Sequence, residues 1–192
     1  RCAIVTGVQT CALPISVVNL SGLSTPGRQQ SFLARLMTLM FGYAKRRPAR
    51  NEPLAGLIVI DKAKDFVPSQ RTVASSEPIM RAAAQLRKYG YGIIVATQEP
   101  KSIHNQVVAN CGTQVFGRAL APATQDAMRG MMQQLGGAPG SVGTLKPGEF
   151  FVSVPEAPTP QKIRTHLCLA HHGSAATPDE VRSLARASRD LR

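Results

Sequence analysis

The sequence has few acidic residues, few cysteines and no tryptophan. Its 192 residues hold 11 Asp and Glu against 23 Lys and Arg, which gives a formal net charge of +12 at pH 7. Such an excess of cations excludes a strongly acidic surface and favours contact with polyanions, such as nucleic acid or nucleotide phosphates. Charge alone does not separate DNA, RNA and an anionic membrane.

Long apolar runs are also missing. The longest, such as residues 57–60, fall far short of the roughly 20 residues that a membrane-spanning helix needs, so we expect no membrane insertion. At 43% apolar residues the chain can form one globular domain with a real core. No secretory signal pattern precedes the four cysteines, which indicates free thiols and a cytoplasmic location: Cys2, Cys11, Cys111 and Cys168.

The first 16 residues, RCAIVTGVQTCALPIS, resemble the translation of a sequencing adaptor fused to a truncated gene. We therefore give them no functional role. On this interpretation Cys2 and Cys11 carry no function, and the natural N-terminal half of the protein is absent from the sequence.

Apolar periodicity predicts an α/β fold. Residues 16–20 favour a strand, and Thr25 with Pro26 is typical of a helix start. Three apolar runs separated by helical segments then predict a doubly wound, mainly parallel sheet with helices at about 76–90 and 103–110; the runs are residues 57–60, 93–96 and 114–116.

The second half of the chain has a different pattern. A Met-rich helix is predicted at 123–135, with antiparallel strands at 150–152 and 163–169. We interpret Met128, Met131 and Met132 as core filling. A helix should start at Thr177, and its arginines line a solvated face or touch DNA phosphates: Arg182, Arg186, Arg189 and Arg192.

Asp61, Gln98 and Arg118 each lie where one of the three predicted parallel strands ends. Ligands of α/β sheets gather beyond the carboxyl ends of such strands. Any one of these side chains alone could merely cap its strand. Together they predict one shared site.

Three segments carry a family resemblance: LIVID at 57–61, RAAAQLRKYGYGIIVATQEP at 81–100 and NCGTQVFGR at 110–118. They are similar to the HerA/FtsK superfamily of hexameric DNA-pumping ATPases, with the HerA branch the closer match. VVNLSGLS at 17–24 resembles the strand that precedes the Walker B helix in that branch. The resemblance covers most of residues 17–169 and implies a partial RecA-like P-loop NTPase core, a hexameric ring, ATP with Mg²⁺, and action on duplex DNA.

The resemblance also implies roles for the three polar residues. Asp61 would be the Walker B acid that holds Mg²⁺ through water. Gln98 would be the sensor of the γ-phosphate, because an amide can donate and accept hydrogen bonds at once. Arg118 resembles the basic residue that neutralises the transferring phosphoryl group at a subunit boundary.

Lys62 departs from the family pattern, which has Glu at this position. An ammonium group with an ordinary pKa of about 10.4 cannot accept a proton from the attacking water, so Lys62 should cripple hydrolysis. Asp65, a turn further on, should not replace the missing carboxylate. The chain is then either a non-hydrolysing ATP binder, or Lys62 is an error or a defective allele.

A second departure is the missing phosphate-binding loop. No glycine of the sequence is followed by lysine, so no G-x-x-x-x-G-K-[ST] motif is present. The predicted organisation is a leader at 1–16, a partial RecA-like domain without Walker A at 17–169, and a basic helical tail at 170–192. We expect this chain alone to bind no ATP tightly, and whether it is itself an ATP hydrolase stays open.

Three alternatives remain at this stage. The leading interpretation is an ATP-driven DNA translocase or helicase subunit, with DNA, copies of itself and possible nuclease partners. A secretion or conjugation ATPase would share the fold, and a non-hydrolysing assembly subunit would explain Lys62. Cys168, His171 and His172 have zinc-like spacing but are incomplete as a four-ligand site.

Overall fold

The structure is a computed structural model. It describes residues 3–10, 13–49, 54–167, 169 and 176–187. The chain divides into two compact units: residues 1–29 with 169–192, and residues 30–168. Within these described ranges, no helix combines the length and the apolarity that a membrane crossing requires.

The first unit contains an antiparallel hairpin of β1 (Ala3–Thr10) and β2 (Leu13–Asn19), together with α5 (Pro178–Ala187). The strand expected at 16–20 is thus largely present, as the second half of β2. The expected helix start is confirmed, because Thr177 and Glu180 form a capping box in which Thr177 Oγ1 accepts the Glu180 N–H at 3.3 Å. Other expectations fall outside the described residues, namely those on Cys168, His171, His172, Arg189 and Arg192.

Helix α1 (Pro26–Arg46) begins as predicted, because Thr25 Oγ1 accepts a hydrogen bond from the Arg28 N–H at 3.3 Å. Its apolar stripe recurs at helical spacing and enters the main core of the second unit, with the members Leu33, Met37, Phe41 and Ala44. The helix ends at Arg46, just before Pro48, which cannot continue it.

Strands β3 (Gly56–Ile60) and β4 (Tyr91–Val95) form a parallel pair, in register from Gly56 opposite Tyr91 to Ile60 opposite Val95. Helix α2 (Ser76–Gln85) and a 3₁₀ turn (Leu86–Tyr89) connect them. The turn stops at Gly90, whose φ of 79° favours glycine. The prediction of a parallel, helix-flanked sheet is confirmed for these two strands.

The prediction of a third parallel strand is wrong. After α3 (Asn105–Asn110), β5 (Gln114–Phe116) pairs antiparallel with β6 (Glu149–Ser153), and β6 pairs with β7 (Gln161–Arg164). The sheet order is β5-β6-β7, separate from β3-β4. The physical reason is Phe116, which lies opposite Phe151 and belongs with it to a second core.

Helix α4 (Pro122–Gln134) supplies that second core and confirms the Met-rich helix. Met132 is fully buried in it, and Met128 and Met131 pack against it, as expected for core filling. The predicted strand at 150–152 is confirmed within β6, whereas β7 ends at Arg164 rather than extending to residue 169. The antiparallel addition is therefore present and includes one strand more than expected.

Glu149, at the start of β6, should give this sheet a pH-dependent stability. The Lys146 N–H donates to its carboxylate at 2.8 Å, and Lys162 Nζ lies 3.0 Å away. These two contacts, the first the larger, hold the pKa of Glu149 below its ordinary value of 4.5. A lowered folded pKa stabilises above the unfolded pKa and loses that contribution as pH falls through the folded value.

We therefore expect Glu149→Gln to lower the free energy of unfolding at neutral pH, and the deficit to shrink at an acidic pH below the ordinary carboxyl pKa of 4.5. Urea unfolding at the two pH values measures this, with Glu156→Gln as control, because Glu156 is exposed. A deficit for Glu149→Gln that is the same at both pH values would contradict the prediction.

Candidate nucleotide site

Asp61 and Gln98 lie at one edge of the parallel sheet, beyond the carboxyl ends of β3 and β4. Two backbone hydrogen bonds of 2.9 Å continue the pairing past the strands: the Ala96 N–H donates to Ile60 O, and the Ala63 N–H donates to Ala96 O. The chain directly after β3 is thereby held against the chain directly after β4. Both Asp61 and Gln98 are exposed at this edge.

The backbone at Lys62 is left-handed, with φ 51° and ψ 43°. Among the described residues it is the one non-glycine residue with positive φ, a conformation that costs roughly 1–2 kcal/mol for an L-residue. Asp61 Oδ1 accepts the Lys62 N–H at 2.8 Å, which offsets part of that cost. Retained strain of this kind is typical of functional turns.

The turn after Lys62 is fixed by two packed elements. Gln30 of α1 is buried and donates from Nε2 to Asp65 O at 2.8 Å. Ser75, which is fully buried, donates from Oγ to Phe66 O at 2.6 Å. These bonds tie the segment that carries Asp61 to α1 and α2, so the carboxylate sits on rigid scaffolding rather than on a loose loop.

Gln98 occupies a bend set by its neighbours. Thr97 Oγ1 accepts the Glu99 N–H at 3.1 Å and donates to Glu99 O at 3.3 Å. Within the described part of the chain, no hydrogen bond involves the Gln98 side chain itself. Its amide is therefore available for an incoming ligand.

Strand pairing does not bring Arg118 to this edge. The prediction that Arg118 ends a third parallel strand is therefore wrong. It follows β5 and Gly117, and β5 is hydrogen-bonded to β6 rather than to β4. Its side chain is exposed. Asp61 and Gln98 thus follow two strands of one sheet, whereas Arg118 follows a strand of another sheet.

A cavity of about 410 Å³ opens beside the two strand ends. Across it Lys64 Nζ and Glu99 Oε1 form an ion pair at 2.5 Å. The hydrogen bond that Lys64 Nζ donates to the Glu99 carboxylate is the main cause of the raised pKa of Lys64. Both residues escaped sequence reasoning, although the position of Glu99 directly after Gln98 was a usable signal. The other polar lining residues include Asp65, Ser69, Arg71, Lys101, Ser102 and Thr124.

The donor set at this edge fits Mg²⁺ in one respect. Mg²⁺ is commonly held by one or two carboxylates together with phosphates and water, and Asp61 uses only its Oδ1 in the described hydrogen bonds. The described residues contain no group of three or more His, Cys, Asp and Glu side chains arranged for a metal. Asp61 is one candidate ligand here, and Asp65 and Glu99 are the other carboxylates near this edge.

Cys111 closes α3 and is half-buried. Burial raises the pKa of its thiol, which keeps it protonated and weakly nucleophilic.

Solved structures with this architecture identify the class of fold. The genome-packaging NTPase B204 from Sulfolobus turreted icosahedral virus 2, in complex with AMP, superposes with a TM-score of 0.53 at 17% identity, over 71% of this chain and 63% of that one. Its complex with AMPPCP gives a TM-score of 0.52 at 16% identity, over 72% of this chain and 62% of that one. The chain has the fold of a P-loop NTPase.

Sequence comparisons indicate more specifically which P-loop NTPases the chain is similar to. Residues 33–122 match the family model Zonular occludens toxin (Zot). The probable DNA double-strand break repair helicase HerA of Methanocaldococcus jannaschii is 25% identical over 80 residues, which are 42% of this chain and 16% of that protein. Together with the fold, these matches support a P-loop ATPase of the HerA/FtsK type. The chain spans less than two thirds of the packaging NTPase and about a sixth of the helicase.

Proposed function

We propose that this chain supplies the Walker B and sensor elements of an ATP-driven DNA motor of the HerA type, working as a hexameric ring. The observation that supports the proposal is the pair of backbone hydrogen bonds that joins the chain directly after β3, which carries Asp61, to the chain directly after β4, which leads to Gln98. A relative named as a DNA repair helicase and a fold neighbour named as a genome-packaging NTPase support DNA as the substrate.

In this proposal each residue has a distinct task. Asp61 binds Mg²⁺ through water with the carboxylate oxygen that Lys62 does not occupy. Gln98 contacts the terminal phosphate with its free amide. Arg118 serves a neighbouring subunit's nucleotide, a role compatible with its exposed position on a sheet other than β3-β4. Mg²⁺ would supply positive charge that offsets the charge of the phosphates, and Asp61 is the residue that would hold it.

We further propose that the phosphate loop lies in natural sequence that precedes Val17, in place of residues 1–16. The 192-residue chain contains no such loop, so ATP titrated into it should give no saturable heat at about 1 mM, since phosphate binding rests on the backbone N–H groups of that loop. Saturable binding by this chain would contradict the assignment of the missing loop.

The test of the site uses the natural-length protein and a fluorescent ATP analogue, because Lys62 would confuse a turnover assay. We expect Mg²⁺ to tighten binding in the wild type and Asp61→Asn to abolish that gain, since the amide is a neutral and poorer ligand. Glu156→Gln, an exposed acid remote in sequence, is the matched control. Unchanged Mg²⁺ dependence in Asp61→Asn would overturn the Walker B role.

A second candidate function is a non-hydrolysing assembly subunit that binds ATP without turnover. The specific observation in its favour is Lys62, which puts an ammonium group where the general base is expected. Resequencing codon 62 from the source DNA discriminates the two, because a Glu codon removes the basis for this candidate.

A further inference from the structure

Six exposed basic side chains gather at the end of the second unit where β3 and β4 begin. We name them the basic corner: Lys45, Arg46 and Arg47 at the end of α1, Arg81 on α2, and Arg87 with Lys88 in the 3₁₀ turn. Strands of five residues rise about 3.3 Å per residue. The basic corner therefore lies roughly 16 Å from the edge that carries Asp61 and Gln98.

Hydrogen bonds hold the two halves of the basic corner together. The Ala49 N–H donates to Tyr89 O at 2.9 Å, and Tyr91 Oη donates to Arg47 O at 3.2 Å. Tyr91 is buried, and Ala55 N–H donates to Gly90 O at 2.7 Å in the same place. The end of α1 is thereby fixed against the 3₁₀ turn, although more than 40 residues separate them in the chain.

Three of the six cations lie over aromatic rings, which limits their motion. The Arg47 guanidinium is 5.6 Å from the Tyr43 ring, the Lys88 ammonium 4.9 Å from the Tyr89 ring, and the Arg81 guanidinium 4.4 Å from the Phe41 ring. A cation held on a ring has lost part of its rotamer freedom before a ligand arrives. Preorganised cations bind a polyanion at lower entropic cost than free ones.

Among the described residues, no ion pair offsets the charge of the basic corner. All four ion pairs of the described residues involve other cations, namely Lys64, Arg129, Lys162 and Arg182. The macrodipole of α1 favours Lys45 and Arg46 near its carboxyl end, but it does not account for Arg81, Arg87 and Lys88. Mutually repelling cations at fixed positions indicate a surface completed by an external polyanion.

We propose that the basic corner binds the phosphate backbone of duplex DNA, a proposal that rests on DNA as the substrate of the proposed motor. A duplex presents phosphates at fixed spacing on a rigid surface, which suits cations held in place by ring contacts. Contact at the amino ends of the strands leaves the opposite edge free, so DNA and nucleotide bind without competing for the same residues.

The test compares two charge-matched double variants of the 192-residue chain. Arg46→Gln with Arg87→Gln removes two cations of the basic corner, neither of which lies over a described ring. Lys146→Gln with Arg164→Gln removes two exposed cations next to or in β6-β7. The probe is a fluorescently labelled duplex of random sequence, titrated without nucleotide at several salt concentrations, with circular dichroism as the check of folding.

We expect the basic-corner variant to bind roughly tenfold or more weakly near 0.1 M salt, and its slope of log K against log salt to fall by about 2, since each phosphate contact contributes about 0.9. The control variant should bind like the wild type. If both variants lose equal affinity, binding is diffuse electrostatics and the proposal is wrong. It is also wrong if the wild-type chain binds no duplex, or binds vesicles of phosphatidylglycerol in preference to DNA.

A second variant pair keeps the proposal testable if the first variant misfolds. Arg47→Gln with Lys88→Gln removes two other charges of the basic corner but keeps polar side chains there, and it should give the same loss of slope. Because the assay contains no nucleotide, its failure leaves the Mg²⁺-dependent binding test of Asp61 untouched. Failure of the Asp61 test likewise leaves the DNA affinity readable.

Discussion

Lys62→Glu is expected to raise ATP hydrolysis by the natural-length protein about 10²–10⁴-fold, the usual contribution of a positioned general base. The backbone supports this expectation. Asp61 Oδ1 holds the Lys62 N–H, so Asp61 and residue 62 are fixed relative to each other. A carboxylate at 62 would accept a proton at neutral pH, whereas the ammonium cannot.

The matched control for this substitution is Lys62→Gln. It removes the positive charge without creating a base, so it separates the electrostatic effect from proton transfer. We expect Lys62→Gln to stay close to the wild-type rate. Equal gains in both variants would show that charge removal alone is responsible, and no gain in Lys62→Glu would contradict the Walker B assignment of this turn.

Folding stability should barely change in either variant. Lys62 is exposed and makes no described ion pair. Surface substitutions of this kind usually alter the free energy of unfolding by no more than about 0.5 kcal/mol. A thermal melt of each variant therefore tells a catalytic effect from a folding effect.

The parallel strand pair could be predicted because the sequence has a strong local signal there. Two short apolar runs, each ending in a polar residue and separated by an amphipathic helix, favour parallel pairing with a right-handed crossover. The same signal places Asp61 and Gln98 at one edge. The shared edge follows from the local pattern, whereas the register of Gly56 opposite Tyr91 comes from the structure.

The sheet to which β5 belongs could not be predicted in the same way. Its apolar run is only three residues long, Gln114–Phe116, and a short run carries no information on its partner. The pairing is decided by the contact of Phe116 with the second core, whose other members come from residues 119–151. The prediction that puts Arg118 at the end of a third parallel strand fails for this reason.

The Lys64–Glu99 ion pair and the cavity beside it lay beyond sequence reasoning for a related reason. The two residues are 35 positions apart and meet only because β3 and β4 are adjacent. Each has another partner of opposite charge nearby in sequence, such as Asp65 for Lys64. Lys64 pairs with Glu99 because the fold brings together the turns that follow β3 and β4.

The sheet formed by β3 and β4 has one covered face and one open face. Ile58 and Ile60 point into the main core, whereas Leu57, Val59 and Ile94 are 50%, 63% and 49% exposed. Val59 lies opposite Ile94 in the register, so these side chains share a face. Neighbouring apolar residues of this size are normally covered, because each would gain about 1.5–3 kcal/mol from burial.

On the proposal that natural sequence precedes Val17, we expect that sequence to cover this open face. Val59→Lys should then lower the free energy of unfolding of the natural-length protein by about 2–5 kcal/mol, because an ammonium group would be buried without a partner. In the 192-residue chain the same change should stay within about 0.5 kcal/mol.

Leu39→Lys is the matched control, since Leu39 is exposed on the outer side of α1, whose inner side packs in the core with Ile60. It should be close to neutral in both chains. Chemical unfolding of the two variants and the wild type, each in both chain lengths, measures all of these differences. An equally small effect of Val59→Lys in both chains would mean that the open face stays in water. The preceding sequence would then not cover this face of the sheet.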